Sequence, residues 1–164
     1  IVASSVEFEY GTVSEICLTG QSNTSFYVCG DESAQCLFEF FADNYSNESG
    51  RCLEWGHAGL AADNESVVGT THGEHNTAIL SLLINNGYSV KDFAHNHPSG
   101  SPKPSGNPGE RPTKDIGVTV AFPQVNNWYV YTPDYGYTKY DCMGPSEQIM
   151  EMCCKKECHY QLKK

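Results

Sequence analysis

The stretch Ala94–Ser105, A-H-N-H-P-S-G-S-P-K-P-S, constrains this chain more than any other segment. Val90, Phe93 and Ala94 lead into it as a buried strand, and His95 and His97 then stand two residues apart. Side chains at i and i+2 of an extended strand share a face, so the two imidazoles can converge on one metal ion. Pro98 has no N–H to donate and ends the ladder there. A loop rich in Gly, Ser and Pro follows, and Asp115 opens the next apolar segment, D-I-G-V-T-V-A-F. Two neutral imidazoles with a carboxylate suit zinc, and three protein ligands with one open position is the catalytic arrangement rather than the structural one. The segment predicts a zinc hydrolase whose metal ligands are His95, His97 and Asp115.

His97-Pro98 is followed by Ser105, which gives H-x-H-P-x6-S. That pattern resembles the JAB/MPN (JAMM) metallopeptidase superfamily, and H-N-H-P-S-G-x-P-x-P-S is similar to its RadC-like and JAB-like toxin branches. The superfamily pattern continues S-x-x-D, and here this chain departs from it, with Pro108 at the expected position. An insertion, G-N-P-G-E-R-P-T-K, separates Ser105 from Asp115; Glu110 lies inside it as the alternative third ligand. A second stretch, F-E-F-F-A-D-N with L-E-W-G-H after it, resembles JAB-like domains at the C-termini of large bacterial polymorphic toxins.

The resemblance covers about residues 24–141 and carries implications for fold, activity and site. The fold would be α+β, a mixed sheet flanked by helices in one JAB/MPN-like (cytidine-deaminase-like) domain. The activity would be zinc-dependent hydrolysis of a peptide or isopeptide bond in a protein or peptide substrate. A glutamate upstream of the His pair would be the general base without binding metal, and Glu54 in L-E-W-G fits best; Glu7, Glu9 and Glu74 are its rivals. Ser105 would steady the oxyanion of the tetrahedral intermediate. The toxin branch implies a secreted or delivered bacterial effector and a cognate immunity protein that covers it. Two other readings stand beside this one: a non-catalytic MPN-like module that binds a partner, and a RadC-like domain associated with DNA.

Composition bears on those alternatives. At 164 residues the chain suits one domain, and 39% hydrophobic with 12% aromatic residues suits a packed core. No apolar run approaches the roughly 20 residues of a membrane helix. Ile1-Val-Ala-Ser-Ser carries no basic region and no Met, so a domain cut from a longer protein is expected, without its own signal peptide. A net charge of −10 repels phosphate backbones and argues against nucleic acid as partner. The intact His pair argues against the non-catalytic module.

Eight cysteines (Cys17, Cys29, Cys36, Cys52, Cys142, Cys153, Cys154 and Cys158) suggest disulfides in an exported protein. At least two are expected, with the tail pinned to Cys142 or to the N-terminal half; Cys52 is expected as a buried thiol. A second zinc site at C-C-x3-C-H (Cys153, Cys154, Cys158, His159) lacks the paired knuckles of zinc folds. His72 and His75, in H-G-E-H, are not H-E-x-x-H and are expected in a helix's first turn. His57 is near enough to Glu54 in the chain to touch substrate.

Local patterns complete the reading. V-E-F-E-Y and T-S-F-Y-V-C-G alternate as strands, as do C-L-E-W-G, V-V-G-T-T and Tyr88–Ala94. Asp31-Glu-Ser supplies an N-cap for a helix over Ala34–Asn44, with Leu37, Phe38, Phe40 and Phe41 on its apolar face. Ala78, Ile79, Leu82 and Leu83 mark a helix from Glu74 to Asn86, and Asp115–Phe122 is read as helix through the resemblance. W-Y-V-Y-T-P and Y-T-K-Y-D form a terminal hairpin, and residues 142–164 a Cys-rich helical tail.

Overall fold

Strand alternation divides the buried side chains of this protein between two faces of one sheet. The computed structural model describes residues 5–8, 11–73, 77–110 and 113–149. In chain order these form β1 (Ser5–Phe8), β2 (Gly11–Ile16), β3 (Thr24–Cys29), α1 (Asp31–Tyr45), β4 (Gly56–Leu60), β5 (Glu65–Thr70) and α2 (Thr77–Asn85). They continue as β6 (Val90–Asn96), α3 (Asp115–Ala121), β7 (Asn127–Thr132), β8 (Gly136–Asp141) and β9 (Gly144–Ile149). The sheet order is β1-β2-β3-β5-β4-β6-β7-β8-β9. Every neighbouring pair is antiparallel except β6 and β7, which are parallel and joined by a crossover through α3. The expected α+β domain with a mixed sheet and helices is present. No helix among the described residues is long and apolar enough to cross a membrane.

On β6, Ala94 turns to the α1 side and Phe93 to the side of α2 and α3; Tyr131 and Val130 of β7 divide in the same way. The α1 layer is aromatic. Phe41 stacks on Trp55 with ring centroids 4.2 Å apart, and Phe38 meets Tyr131 edge-on at 5.6 Å. Such pairs add specific geometry to the area they bury. On the other face, Ile79, Leu80 and Leu83 of α2 and Ile116 and Val118 of α3 join Phe93, Trp128 and Tyr140.

Several local expectations are corrected. α1 begins at Asp31 rather than Ala34, because Gly30 (φ 118°) is its N-cap and Asp31 N–H donates to Asn64 Oδ1 at 2.7 Å. Glycine alone takes that φ without strain, so it, and not the Asp-Glu-Ser run, sets the helix start. Cys52–Trp55 is not strand; the ladder of β4 starts at Gly56. The preceding backbone spends its bonds elsewhere, with Leu53 N–H on Ser46 O and Glu54 N–H on Gly73 O. β2 is a strand that no local pattern announces. The hairpin of β7 and β8 is not terminal either: a turn in which Met143 N–H donates to Asp141 Oδ1 (2.8 Å) leads into β9, where a helical tail was expected.

The cysteines divide. Cys17, Cys29, Cys52 and Cys142 are free and exposed, so Cys52 is not the buried thiol expected and Cys142 is not an anchor. Cys36, buried on α1, is disulfide-bonded. Cys153, Cys154, Cys158 and His159 lie outside the described residues, as does His75. His72 is not in a helix; it lies before α2 with φ 63°, its ring Nε2 2.7 Å from Thr24 Oγ1.

Candidate metal centre

β6 delivers His95 on the α3 side of the sheet, where burial is complete. His97 follows just beyond the strand end and returns to the same face, as the i, i+2 spacing requires. Their Nε2 atoms lie 3.2 Å apart. Asp115, the first residue of α3, brings its carboxylate to both: Oδ1 is 3.3 Å from His95 Nε2 and Oδ2 is 3.0 Å from His97 Nε2. The three residues are the one group of His, Cys, Asp or Glu among the described residues arranged to hold a metal ion. The insertion between Ser105 and Asp115 does not displace the acid. Ser105 N–H donates to Asp115 Oδ2 at 2.8 Å, and Asp115 N–H donates to Ser105 Oγ at 3.0 Å. Ile116 N–H adds a third bond to Ser105 O. The ends of the lengthened loop are clasped together, and the extra residues bulge outward. Glu110, in that bulge, is exposed and accepts from Asn107 Nδ2 instead.

Hydrogen bonding prepares the donor atoms. His97 Nδ1 is 2.9 Å from the carbonyl oxygen of Ser101. A carbonyl only accepts, so Nδ1 carries a proton, and Nε2 is the nitrogen left facing Asp115 and His95. That is the arrangement usual for an imidazole ligand held by an outer hydrogen bond. His95 Nδ1 is buried with no partner among the described residues, so no acceptor fixes its tautomer. Burial acts to raise the Asp115 pKa, but the neighbouring imidazoles and the Ser105 N–H hold it well below the usual carboxylate range. Burial likewise acts to lower the His97 pKa, and the hydrogen bond and charge of Asp115 reverse this into a net rise. The donor set is therefore an ionised carboxylate between two imidazoles in a largely dehydrated pocket. Without a cation the His97 Nε2–H donates to the Asp115 carboxylate; a bound cation would take the place of that proton. The residues fit zinc.

Around the three stand groups that support or face them. Phe93 lies along the His95 ring with centroids 6.4 Å apart, and Tyr140 meets that ring edge-on at 6.2 Å. Burial, then the charges of Asp115 and Glu54, push the Tyr140 hydroxyl well above its ordinary pKa. Glu54 also raises His97, so its charge is felt on the metal side of the sheet.

The other candidates separate from the site. Glu7 belongs to the edge strand β1, with four strands between it and β6. Glu9 and Glu74 lie outside the described residues. His57 does not reach the metal side: its Nε2 pairs with Ser66 Oγ (3.2 Å) and its ring lies by Phe38, in the α1 layer. Sequence reasoning missed three contributors: the Ser101 carbonyl, Tyr140 and Asn96. Asn96 carried a signal, being the polar residue between two inward histidines on a buried strand.

Two imidazoles at a strand end and a carboxylate on the following crossover helix bring three candidate metal ligands together within one β-α-β unit. The chain belongs to the JAB-like toxin 1 family, whose model matches residues 26–119. That span contains Glu54, His95, His97, Ser105 and Asp115. No curated protein and no solved structure matches the chain.

Proposed function

We propose that this toxin domain is a zinc-dependent peptidase or isopeptidase that hydrolyses an amide bond in a protein target. The observation that carries the reading is the convergence of His95 Nε2, His97 Nε2 and the Asp115 carboxylate, with the His97 ring turned by the Ser101 carbonyl so that Nε2 faces inward. When bound, zinc lowers the pKa of a coordinated water and polarises the scissile carbonyl. Glu54 is the general base: its carboxylate takes the proton of the attacking water and passes it to the leaving amine. Ser105 Oγ accepts from Asp115 N–H, which leaves its own O–H proton for the developing oxyanion. Tyr140 and Phe93 wall the His95 ring and exclude water on that side.

The family supports action inside a target cell after delivery from a producer, and a producer of such an enzyme requires a cognate immunity protein that covers the centre. The test pairs metal content with toxicity. Wild type and Glu54→Gln should each hold one zinc per chain, and the His95→Ala, His97→Ala double variant none. Expressed in cytoplasm or periplasm, wild type should arrest growth and Glu54→Gln should not. Zinc retained by the double variant, or equal growth arrest by Glu54→Gln, overturns the reading.

A further inference from the structure

We propose that Asn96 is a positioning residue that brackets the Glu54 segment to the metal-bearing strand. β4 pairs with β6 through Gly56 opposite His95, and the regular ladder ends there. The next pair would be Trp55 with Asn96. One backbone bond survives, long, from Asn96 N–H to Trp55 O at 3.4 Å. The other partner is the side chain: Trp55 N–H donates to Asn96 Oδ1 at 2.6 Å. The same carboxamide donates Nδ2 to Leu53 O at 3.3 Å. A single buried amide, 2% exposed, therefore grips the backbone on both sides of Glu54. Its own neighbours in the chain are His95 and His97.

The geometry has one chemical consequence. The chain before Gly56 has left the sheet, so ladder bonds cannot set the distance between Glu54 and the two imidazoles. Thr70 Oγ1 and Gly73 O hold the C=O and N–H of Glu54 to other parts of the chain, and Asn96 supplies the direct link to the histidines, since its backbone carries them and its side chain bonds residues 53 and 55. Only a short side chain with adjacent acceptor and donor bonds an N–H and a C=O two residues apart. The packing of Trp55 on Phe41 holds the same segment from the α1 side, so removing the amide loosens Glu54 without unfolding the domain.

This inference rests on Glu54 as the proton acceptor, and the test separates the two. Cobalt(II) added alone to Asn96→Ala and Asn96→Asp should bind at one per chain, as in wild type. Paramagnetic relaxation of the Glu54 carboxyl carbon by that cobalt should fall at least fivefold in Asn96→Ala. Asn96→Asp, which keeps the acceptor for Trp55 N–H, should fall less. Hydrogen exchange at the Trp55 amide should speed at least tenfold in Asn96→Ala and little in Asn96→Asp. Toxicity should drop on the order of tenfold or more in Asn96→Ala, and Asn96→Ala should lower it no further in a Glu54→Gln background. Unchanged Glu54 relaxation in Asn96→Ala overturns the proposal, and so does loss of cobalt binding, which would place the effect on the histidines. If the alanine variant does not fold, Asn96→Asp alone decides, because loss of the Leu53 bond must still lower the relaxation. A fully toxic Glu54→Gln would refute the base assignment, while the relaxation measurement would still judge Asn96.

Discussion

A Cβ built on Gly56 would lie 2.7 Å from Cζ of Phe93 and 2.8 Å from Cγ2 of Ile79. Gly56 pairs with His95, so the empty space on its side chain is what lets Phe93 lie along that imidazole. Gly56→Ala must push a packed aromatic ring or α2 outward. The expected loss is about 1–3 kcal/mol of stability, read as a lower denaturant midpoint with an unchanged slope. Zinc affinity should fall with it, because the displaced ring is the wall of the ligand.

Ser105 should be separable from the ligands. Ser105→Ala keeps the backbone N–H on the Asp115 carboxylate and loses only the hydroxyl that accepts Asp115 N–H. Stability should fall by about 1 kcal/mol, as for a lost helix cap. Zinc should stay at one per chain while hydrolysis or toxicity falls on the order of 10²-fold. Loss of zinc in this variant would make the clasp, rather than the oxyanion, the reason for the serine.

Acid should weaken the α1 layer through His57. Burial lowers its pKa to about 4 in the folded protein, against about 6.5 when unfolded. The unfolded chain thus binds the proton first as pH falls. Stability is intact above pH 6.5, declines through the interval to pH 4, and loses on the order of 2–3 kcal/mol by its end. Denaturation of metal-free protein at pH 7, 5.5 and 4.5 measures this without acid release of a metal intervening. His57→Gln should flatten the dependence over that interval; an identical slope in both proteins would exclude His57 as its source.

Thiol reactivity should follow exposure. Native protein treated with an alkylating reagent without reductant should be labelled at Cys17, Cys29, Cys52 and Cys142, and not at Cys36. Reduction under denaturing conditions should then release Cys36 for labelling. Peptide mapping by mass spectrometry distinguishes the two sets, and a protected Cys142 would contradict its free, exposed position.

The chemistry of the site was more legible than its architecture. H-x-H at a buried strand end requires both imidazoles on one face, and an acid opening an apolar helix puts a carboxylate at its first turn. Neither inference needs distant parts of the chain. The same locality explains the misses. Residues 52–55 alternate like a strand, but whether they join a ladder depends on Ser46, Gly73 and Asn96, which claim their backbone groups. β2 and β9 exist because neighbouring edges are open to them, and no pattern within either strand states that. Glu110 and Asp115 could be ranked from sequence only by analogy; it is the clasp at Ser105 that places Asp115, and not Glu110, beside the histidines.

The placement of the ligands also bears on the order in which a threaded chain regains its parts. His95, His97 and Asp115 all belong to the single β6-loop-α3 segment, whereas Glu54 arrives with β4, which pairs with β6 only after β5 and α2 have intervened in the chain. Contacts close in sequence form sooner than those that close a long loop. Under the function proposed above, a refolding chain would assemble its metal ligands before its base arrives, and the centre would wait, inert, until the last segment locked in beside it.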